Sequence, residues 1–295
     1  LIHKGKTLDS STQFDQPWLA PAKLNLMLRI LGQRPDGYHE LQTVFQFIDV
    51  YDQLYFRPRK DRRVIRTTNL KYVTPDRDLA VKAARLLQNV TNCKKGINIH
   101  IEKRLPIGGG LGGGSSDAAT TLIALNKLWQ LNLTTAKLAK LGLQLGADVP
   151  IFVHGQAAWS EGIGEKLTSI TLSEPWYLVL IPDCQVLTKI IFTDSALTRD
   201  SNPITIGNFL AGDQRNDCLD VVRRLYPQVA RALDWLEDEL TRRAVGGHAR
   251  LTGTGACVFA AFSAEQVARE VLASLPAGIR GLVAKGLNRS PLLMT

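Results

Sequence analysis

The sequence predicts an α+β protein of two domains. Three observations carry this expectation. A chain of 295 residues exceeds the roughly 150 of an average domain. Its early part reads as an antiparallel hairpin. Its helices and strands show no strict βαβ order, so a doubly wound parallel sheet is not indicated.

The elements follow in order. Leu1 to Pro17 is polar, lacks an apolar signal-peptide core and is short and poor in Arg for a transit peptide; a mobile extension is expected there. From Ala22 to Leu31, Leu24, Leu26, Leu28 and Ile30 alternate with Lys23, Asn25, Met27 and Arg29, the period of a strand. Pro35-Asp36-Gly37 is a turn signal, and a second strand rich in Phe and Val runs from His39 to about Tyr51. Arg57 to Arg66 reads as a basic loop and as solvated surface. A helix is expected at Leu79–Val90 and a strand at Gly96–Glu102. The glycine run 108–114 leads into a helix at Ser116–Leu131. Another helix, Thr135–Leu145, is capped by Gly146. The pattern breaks at Thr171 to Pro175, and a strand resumes at Trp176–Ile181. The boundary is therefore placed near Thr171, between domains at 18–171 and 172–295. Helices at Asp217–Tyr226, Pro227–Arg243 and Ala264–Ser274, and a strand entering Leu251, complete the reading.

Composition narrows the class. Hydrophobic residues at 45% and charged residues at 21% exclude a disordered tail, a collagen-like chain and a coiled coil. No segment approaches the ~18 consecutive apolar residues of a membrane span. The 36 basic and 27 acidic residues give net +9, which suits an anionic partner: nucleic acid, a membrane surface or a phosphorylated small molecule. The four cysteines are dispersed, without a C-x-x-C pair, and read as reduced thiols of a cytoplasmic protein. The five histidines form no zinc-ligand pattern.

The most informative segment is Pro106-Ile107-Gly108-Gly109-Gly110-Leu111-Gly112-Gly113-Gly114-Ser115-Ser116. So many glycines cost backbone entropy and make sense where the backbone approaches a ligand or adopts positive φ. With a helix directly behind, the amides form an anion cradle. A flexible linker would not sit between an apolar strand and an apolar helix. A Walker A loop fails, because Gly114 or Ser115 stands where its Lys belongs. A dinucleotide fingerprint fails, because no acid lies between Asp117 and Asp148. A protein-kinase loop fails for want of H-R-D and D-F-G.

Two segments supply what the loop lacks. Lys23 and Asn25 share a strand face, and Asp148 lies on a turn between Gly146 and Pro150. A Lys and an Asp in one cleft can take a proton from a hydroxyl and hold developing charge. Taken singly, Lys23 reads as a solvated strand residue and Asp148 as a turn residue. Arg250-Leu251-Thr252-Gly253-Thr254-Gly255-Ala256-Cys257 is either a tight β-turn or a small-residue turn closing on a ligand.

The order of Pro21-Ala22-Lys23-Leu24-Asn25-Leu26, the glycine run and Leu251-Thr252-Gly253-Thr254-Gly255 resembles the three-motif signature of the GHMP small-molecule kinases. Arg34-Pro35-Asp36-Gly37-Tyr38-His39, Leu145-Gly146-Ala147-Asp148-Val149-Pro150 and the ending from Lys285-Gly286 to Ser290-Pro291-Leu292 resemble the branch that acts on a cytidine-diphosphate-linked methylerythritol in non-mevalonate isoprenoid synthesis. The resemblance runs from about Trp18 to the C-terminus. It implies an S5-like N-terminal domain, a ferredoxin-like C-terminal domain and a cleft between them. It implies ATP-dependent phosphorylation of the 2-hydroxyl of the small-molecule substrate diphosphocytidyl-methylerythritol, with Mg²⁺ on unassigned ligands and neither nucleic acid nor membrane as partner. Lys23 and Asp148 match the catalytic pair, and Pro106 to Ser116 the ATP phosphate loop. Lys103 matches a position near the nucleotide, Asn25 one near the acceptor, and Tyr38, His39 and Phe192 the cytidine positions. Tyr38 and Phe192 suit sandwiching a flat base whose edge His39 reads. Asp78, where similar kinases carry Asn, is left outside the site. A kinase for homoserine or mevalonate, or a nucleic-acid-binding module, are the rival readings.

Overall fold

The computed structural model describes residues 16–71 and 73–294. The expected extension at 1–17 lies, up to residue 15, outside the described residues. Alternating apolar side chains drive the chain into a long hairpin of β1 (Trp18–Gln33) and β2 (His39–Arg59), which turns at residues 35–37. Register pairs Lys23 with Phe47 and Asn25 with Phe45, so this polar pair lies on the face that carries the helices. Leu24 and Leu26 face the other way, into a buried cluster with Tyr177, Val179 and Phe259 of the C-terminal half. The simple alternation breaks at a register shift between Asn25 and Met27, and Met27 joins that cluster.

The expected basic loop at Arg57–Arg66 is mostly strand. Leu54 and Phe56 are buried and carry β2 on to Arg59. The chain turns at 60–63 and re-enters the sheet as β3 (Val64–Arg66). Nor is its charge simply solvated. Asp61 pairs with Arg59 and Arg63, each at 2.7 Å, and Arg66 is buried against Asp78 at 2.6 Å. Asp78 caps α1 (Leu79–Thr91) by accepting from the amides of Ala80 and Val81. β4 (Gly96–Glu102) runs antiparallel to β2 and parallel to β3.

α2 (Gly113–Leu128) starts inside the glycine run, earlier than the expected Ser116, because Gly112 takes the left-handed cap position at φ 73°. α3 (Thr135–Leu143) ends before Gly146, whose amide donates back to Gly142 O at 3.1 Å. α4 (Val149–His154) starts on Asp148-Val149-Pro150, with Pro in its first turn. These four helices pack one apolar core against β2 and β4. A hairpin of β5 (Ala158–Gly162) and β6 (Lys166–Ser169) extends the sheet from the first half of β2.

The C-terminal half contains β7 (Trp176–Ile181), α5 (Thr188–Thr193), α6 (Ile206–Leu210), α7 (Leu219–Leu225), α8 (Pro227–Arg242), β8 (Arg250–Leu251), β9 (Val258–Phe262), α9 (Glu265–Ala273) and β10 (Arg280–Leu287). Its strands lie antiparallel in the order β10-β7-β9-β8 over a second core. The end of β10 pairs Gly286 and Leu287 with Ile48 and Phe47 of β2, joining the two sheets. The chain then returns to the N-terminal half, where Asn288 O accepts from Ala157 N at 2.8 Å and Ser290 N donates to Gly155 O at 2.9 Å. A shared apolar cluster and a shared sheet thus join the two halves.

Candidate active site

A cleft of about 850 Å³ lies between the glycine loop, the β1–β2 hairpin, the start of α4 and the C-terminal segments 186–193 and 253–255. Three segments distant in sequence meet at its floor. Lys23 N donates to Leu111 O at 3.0 Å, and Cys257 N to Gly109 O at 3.0 Å. Asn25 N donates to Thr252 Oγ1 at 3.0 Å. The loop is thus fastened to β1 on one side and to the Thr252–Gly255 turn on the other.

Its conformation explains its composition. Gly108, Gly110 and Gly112 all have φ between 72° and 78°, a region L-residues avoid. At Gly112 a Cβ would stand 2.7 Å from the Phe152 ring and 3.1 Å from Lys23 Cε. No side chain caps α2, so its first amides point toward the loop without a built-in acceptor.

On the helix-bearing face of β1, Lys23 is 3% exposed. Its Nζ is 3.2 Å from Asp148 Oδ2, donates to Asn25 Oδ1 and lies over the Phe45 ring. Asn25 Nδ2 in turn donates to Thr43 Oγ1 at 2.9 Å, and Thr43 Oγ1 to Met27 O at 2.5 Å. This relay leaves each group one orientation, so Lys23 is held toward Asp148. Asp148 has 36% of its side chain exposed, open to the cleft while its charge is matched from behind.

Tyr38, His39 and Phe192 all line the cleft, with His39 and Phe192 in contact. The expectation is that Tyr38 and Phe192 sandwich a flat base whose edge His39 reads. In the structure His39 lies on Phe192, with ring centroids 4.9 Å apart at 29°, and Tyr38 is 57% exposed. Burial, with the Arg199 guanidinium beside it, holds His39 below the usual histidine range.

Of the expected residues, Lys23, Asn25, Tyr38, His39, Gly108, Gly110, Ser115, Asp148 and Phe192 line the cleft. Pro106, Ile107, Gly109, Leu111, Gly112, Gly113, Gly114 and Ser116 shape or anchor the loop without lining it; Leu111 and Ser116 are buried. Lys103 lies behind the loop, 2.5 Å from Asp52 and 2.8 Å from Asp117. Burial pushes the Asp117 carboxyl up to about 7, against the pull of Lys103. Burial alone would lower Lys103, but Asp117 and Asp52 outweigh it and raise it.

The sequence reading missed Thr43, which orients Asn25, and Lys189 and Thr188, which line the cleft beside Thr254. Thr43 carries no local signal beyond its place on a strand. Thr188 and Lys189 belong to a six-residue helix too short to show a period.

The model of the GHMP kinases N terminal domain matches residues 78–156, and that of GHMP kinases C terminal matches 195–278. A 4-diphosphocytidyl-2-C-methyl-D-erythritol kinase of Nitrosococcus oceani is 53% identical over 276 residues, 94% of this chain and 96% of that protein. One of Alkalilimnicola ehrlichii is 55% identical over 276 residues, 94% of this chain and 92% of that protein. A crystal structure of a 4-(cytidine 5'-diphospho)-2C-methyl-D-erythritol kinase superposes with a TM-score of 0.77 at 30% identity, covering 92% of this chain and 99% of that one. The chain belongs to the GHMP kinases, in the branch of the 4-diphosphocytidyl-2-C-methyl-D-erythritol kinases.

Proposed function

We infer that this chain transfers the γ-phosphoryl group of ATP to the 2-hydroxyl of 4-diphosphocytidyl-2-C-methyl-D-erythritol, giving the 2-phosphate and ADP on the non-mevalonate route to isoprenoid precursors. The observation that carries the chemistry is the Lys23–Asp148 pair at 3.2 Å beside the glycine loop. The substrate hydroxyl attacks the γ-phosphorus. The new O–P bond forms as the bond to the β-phosphate oxygen breaks, and the hydroxyl proton passes to Asp148. Lys23 holds Asp148 in place and offsets negative charge gathering between donor and acceptor. The loop amides and the N-terminus of α2 bind the phosphates. Tyr38, His39 and Phe192 bind the cytosine at the other end, which leaves the alcohol between the two anchors. Positioning of this kind supplies much of the rate of a phosphoryl transfer.

Mg²⁺ fits this site as an ion that arrives with the nucleotide. The described residues contain no group of three His, Cys, Asp or Glu to cage it, and Mg²⁺ typically binds through substrate phosphates, water and one or two oxygen ligands. Ser115, the loop hydroxyl lining the cleft, would hold it, and its charge would screen the phosphates. We place the enzyme in the cytoplasm, in keeping with four free cysteines. No helix among the described residues is long and apolar enough to cross a membrane.

The test is ADP release with the diphosphocytidyl alcohol, with the new phosphate located by ³¹P NMR. Asp148→Asn is expected to lower kcat by ~10²–10⁴-fold with KM nearly unchanged. A variant that folds and keeps near-normal kcat would refute the role given to Asp148.

A further inference from the structure

Arg199 lies between α5 and α6, 160 residues from His39 in sequence. Its Nε–H donates to His39 Nε2 at 3.2 Å. Its remaining nitrogens donate to main-chain oxygens of Leu197 (3.1 Å), Phe192 (2.9 Å) and Asp194 (2.8 Å). Four acceptors around one planar guanidinium leave it no freedom to turn. The same side chain therefore holds both members of the His39–Phe192 stack.

The chemistry of this contact is one-sided. A guanidinium has only donors and keeps its protons throughout the range in which proteins fold. The atom it meets must present a lone pair. His39 Nε2 is thus bare, and the single ring proton sits on Nδ1. A doubly protonated ring would set N–H against N–H and cation against cation. Nδ1 makes no hydrogen bond among the described residues and is not among the sealed, unpartnered polar atoms. It is left as an available donor on a ring that lines the cleft.

We propose that Arg199 is a specificity-determining positioning residue: by engaging His39 Nε2 it fixes the ring as an Nδ1–H donor, which matches the unprotonated N3 of cytosine and opposes the N3–H of uracil. Without Arg199 the ring is free to carry its proton on either nitrogen, and the same histidine would accept from uracil as readily as donate to cytosine. The discrimination comes from the arginine rather than from the histidine alone. This deepens the cytidine reading of the cleft and rests on it.

The test compares wild type, Arg199→Met and Arg199→Lys on the diphosphocytidyl alcohol and its diphosphouridyl analogue. A mismatched buried donor is worth about five- to hundredfold. Arg199→Met is expected to raise KM for the cytidine substrate about tenfold with kcat within about threefold, and to reduce the cytidine-to-uridine ratio of kcat/KM by about tenfold or more. Arg199→Lys, which keeps a donor, is expected to recover part of that ratio. An equal loss on both substrates would overturn the proposal, because a purely structural arginine would act on both alike. A second measurement needs neither substrate nor a variant of Arg199. Multiple-bond ¹H–¹⁵N correlation of the His39 ring, assigned through His39→Gln, is expected to show the Nδ1–H form, and the Nε2–H form would overturn the proposal. Failure of the cytidine reading would look different: wild type would use both nucleotides equally while the ring still showed the Nδ1–H form, and the specificity role would fall with that reading.

Discussion

Gly110→Ala tests how tightly the glycine loop is built. Gly110 has φ +78°, and a Cβ there would stand 2.5 Å from Thr252 O and 2.9 Å from Gly255 O. Both neighbours are main chain, so no rotamer change relieves them. Restoring ordinary contact requires the loop and the Thr252–Gly255 turn to separate by roughly half an ångström to one ångström, and a misplacement of that size near the chemistry can cost about a hundredfold. The left-handed backbone costs an L-residue roughly 1–2 kcal/mol, while the stiffer unfolded chain returns about 0.4–1 kcal/mol. With the lost loop–turn contact included, a net destabilisation of about 1–3 kcal/mol is expected, or a fall in Tm of about 2–8 °C. The assay is coupled ADP release at saturating substrates, with Tm from differential scanning. The expected result is kcat down about a hundredfold while KM for the alcohol changes little. Gly32→Ala is the control: a Cβ there meets nothing within 4 Å and needs no left-handed backbone. Gly110→Ala with kcat within threefold of wild type and an unchanged Tm would refute the close fit of loop to turn.

Asp78→Asn should keep the α1 cap but strip Arg66 of its counter-charge at a site where both side chains are at most 5% exposed. A loss of about 2–4 kcal/mol is expected, read by denaturant unfolding, and a change under about 0.5 kcal/mol would show that the pair is not needed. Asp117 supplies a pH dependence. Its carboxyl sits at about 7 in the fold because it is buried, above the ~3.9 of an unfolded Asp. Between those values the native state binds the extra proton, so this group's contribution is most favourable below about pH 4, declines as pH rises to about 7 and is level above that. Asp117→Asn removes the titration. The variant is therefore expected to lose less stability than wild type between pH 5 and pH 8, and parallel losses would count against the assignment.

Much of the fold was legible because its strongest elements advertise their period. Gly96–Glu102 and Trp176–Ile181 form strands over the expected residues, and the helix expected at Pro227–Arg243 forms over Pro227–Arg242. The elements that escaped are short or depend on neighbours. α5 and α6 have six and five residues, less than two turns. β5 exists because β2 offers residues 41–45 as a partner, which its own composition does not announce. The basic stretch at 57–66 differs from its expected loop for a related reason: its charge is conspicuous, but the buried Leu54 and Phe56 just before it decide that the strand continues. In the site, Lys23 and Asn25 could be placed on one face from period two alone, and the loop from its glycines. The residues that orient them could not. Thr252 reaches Asn25 across 227 positions and Arg199 reaches His39 across 160, and neither pairing has a local signature.

The loop geometry also answers a question the sequence raised, how a chain without a Walker lysine would hold a nucleotide's phosphates. Left-handed φ at Gly108, Gly110 and Gly112 alternates with Gly109 and Leu111, which do not share it. Such alternation turns successive amides toward one concave side. The carbonyls are disposed of elsewhere: Gly109 O accepts from Cys257 N, Leu111 O from Lys23 N, and Gly110 O from Thr252 Oγ1. With its acceptors tied to the flanking segments, the loop offers an approaching anion mainly donors, followed by the uncapped start of α2. Cationic side chains are then needed less for holding phosphate than for managing charge during transfer. In the proposed reaction Lys23 would do this from within the cleft, while Lys103 is engaged with Asp52 and Asp117. The net +9 of the chain therefore bears on the rate at which polyanionic substrates arrive, an effect that salt screens, more than on how tightly the loop grips them. Several of its most conspicuous members, Arg59, Arg63 and Arg66, are already paired within the fold.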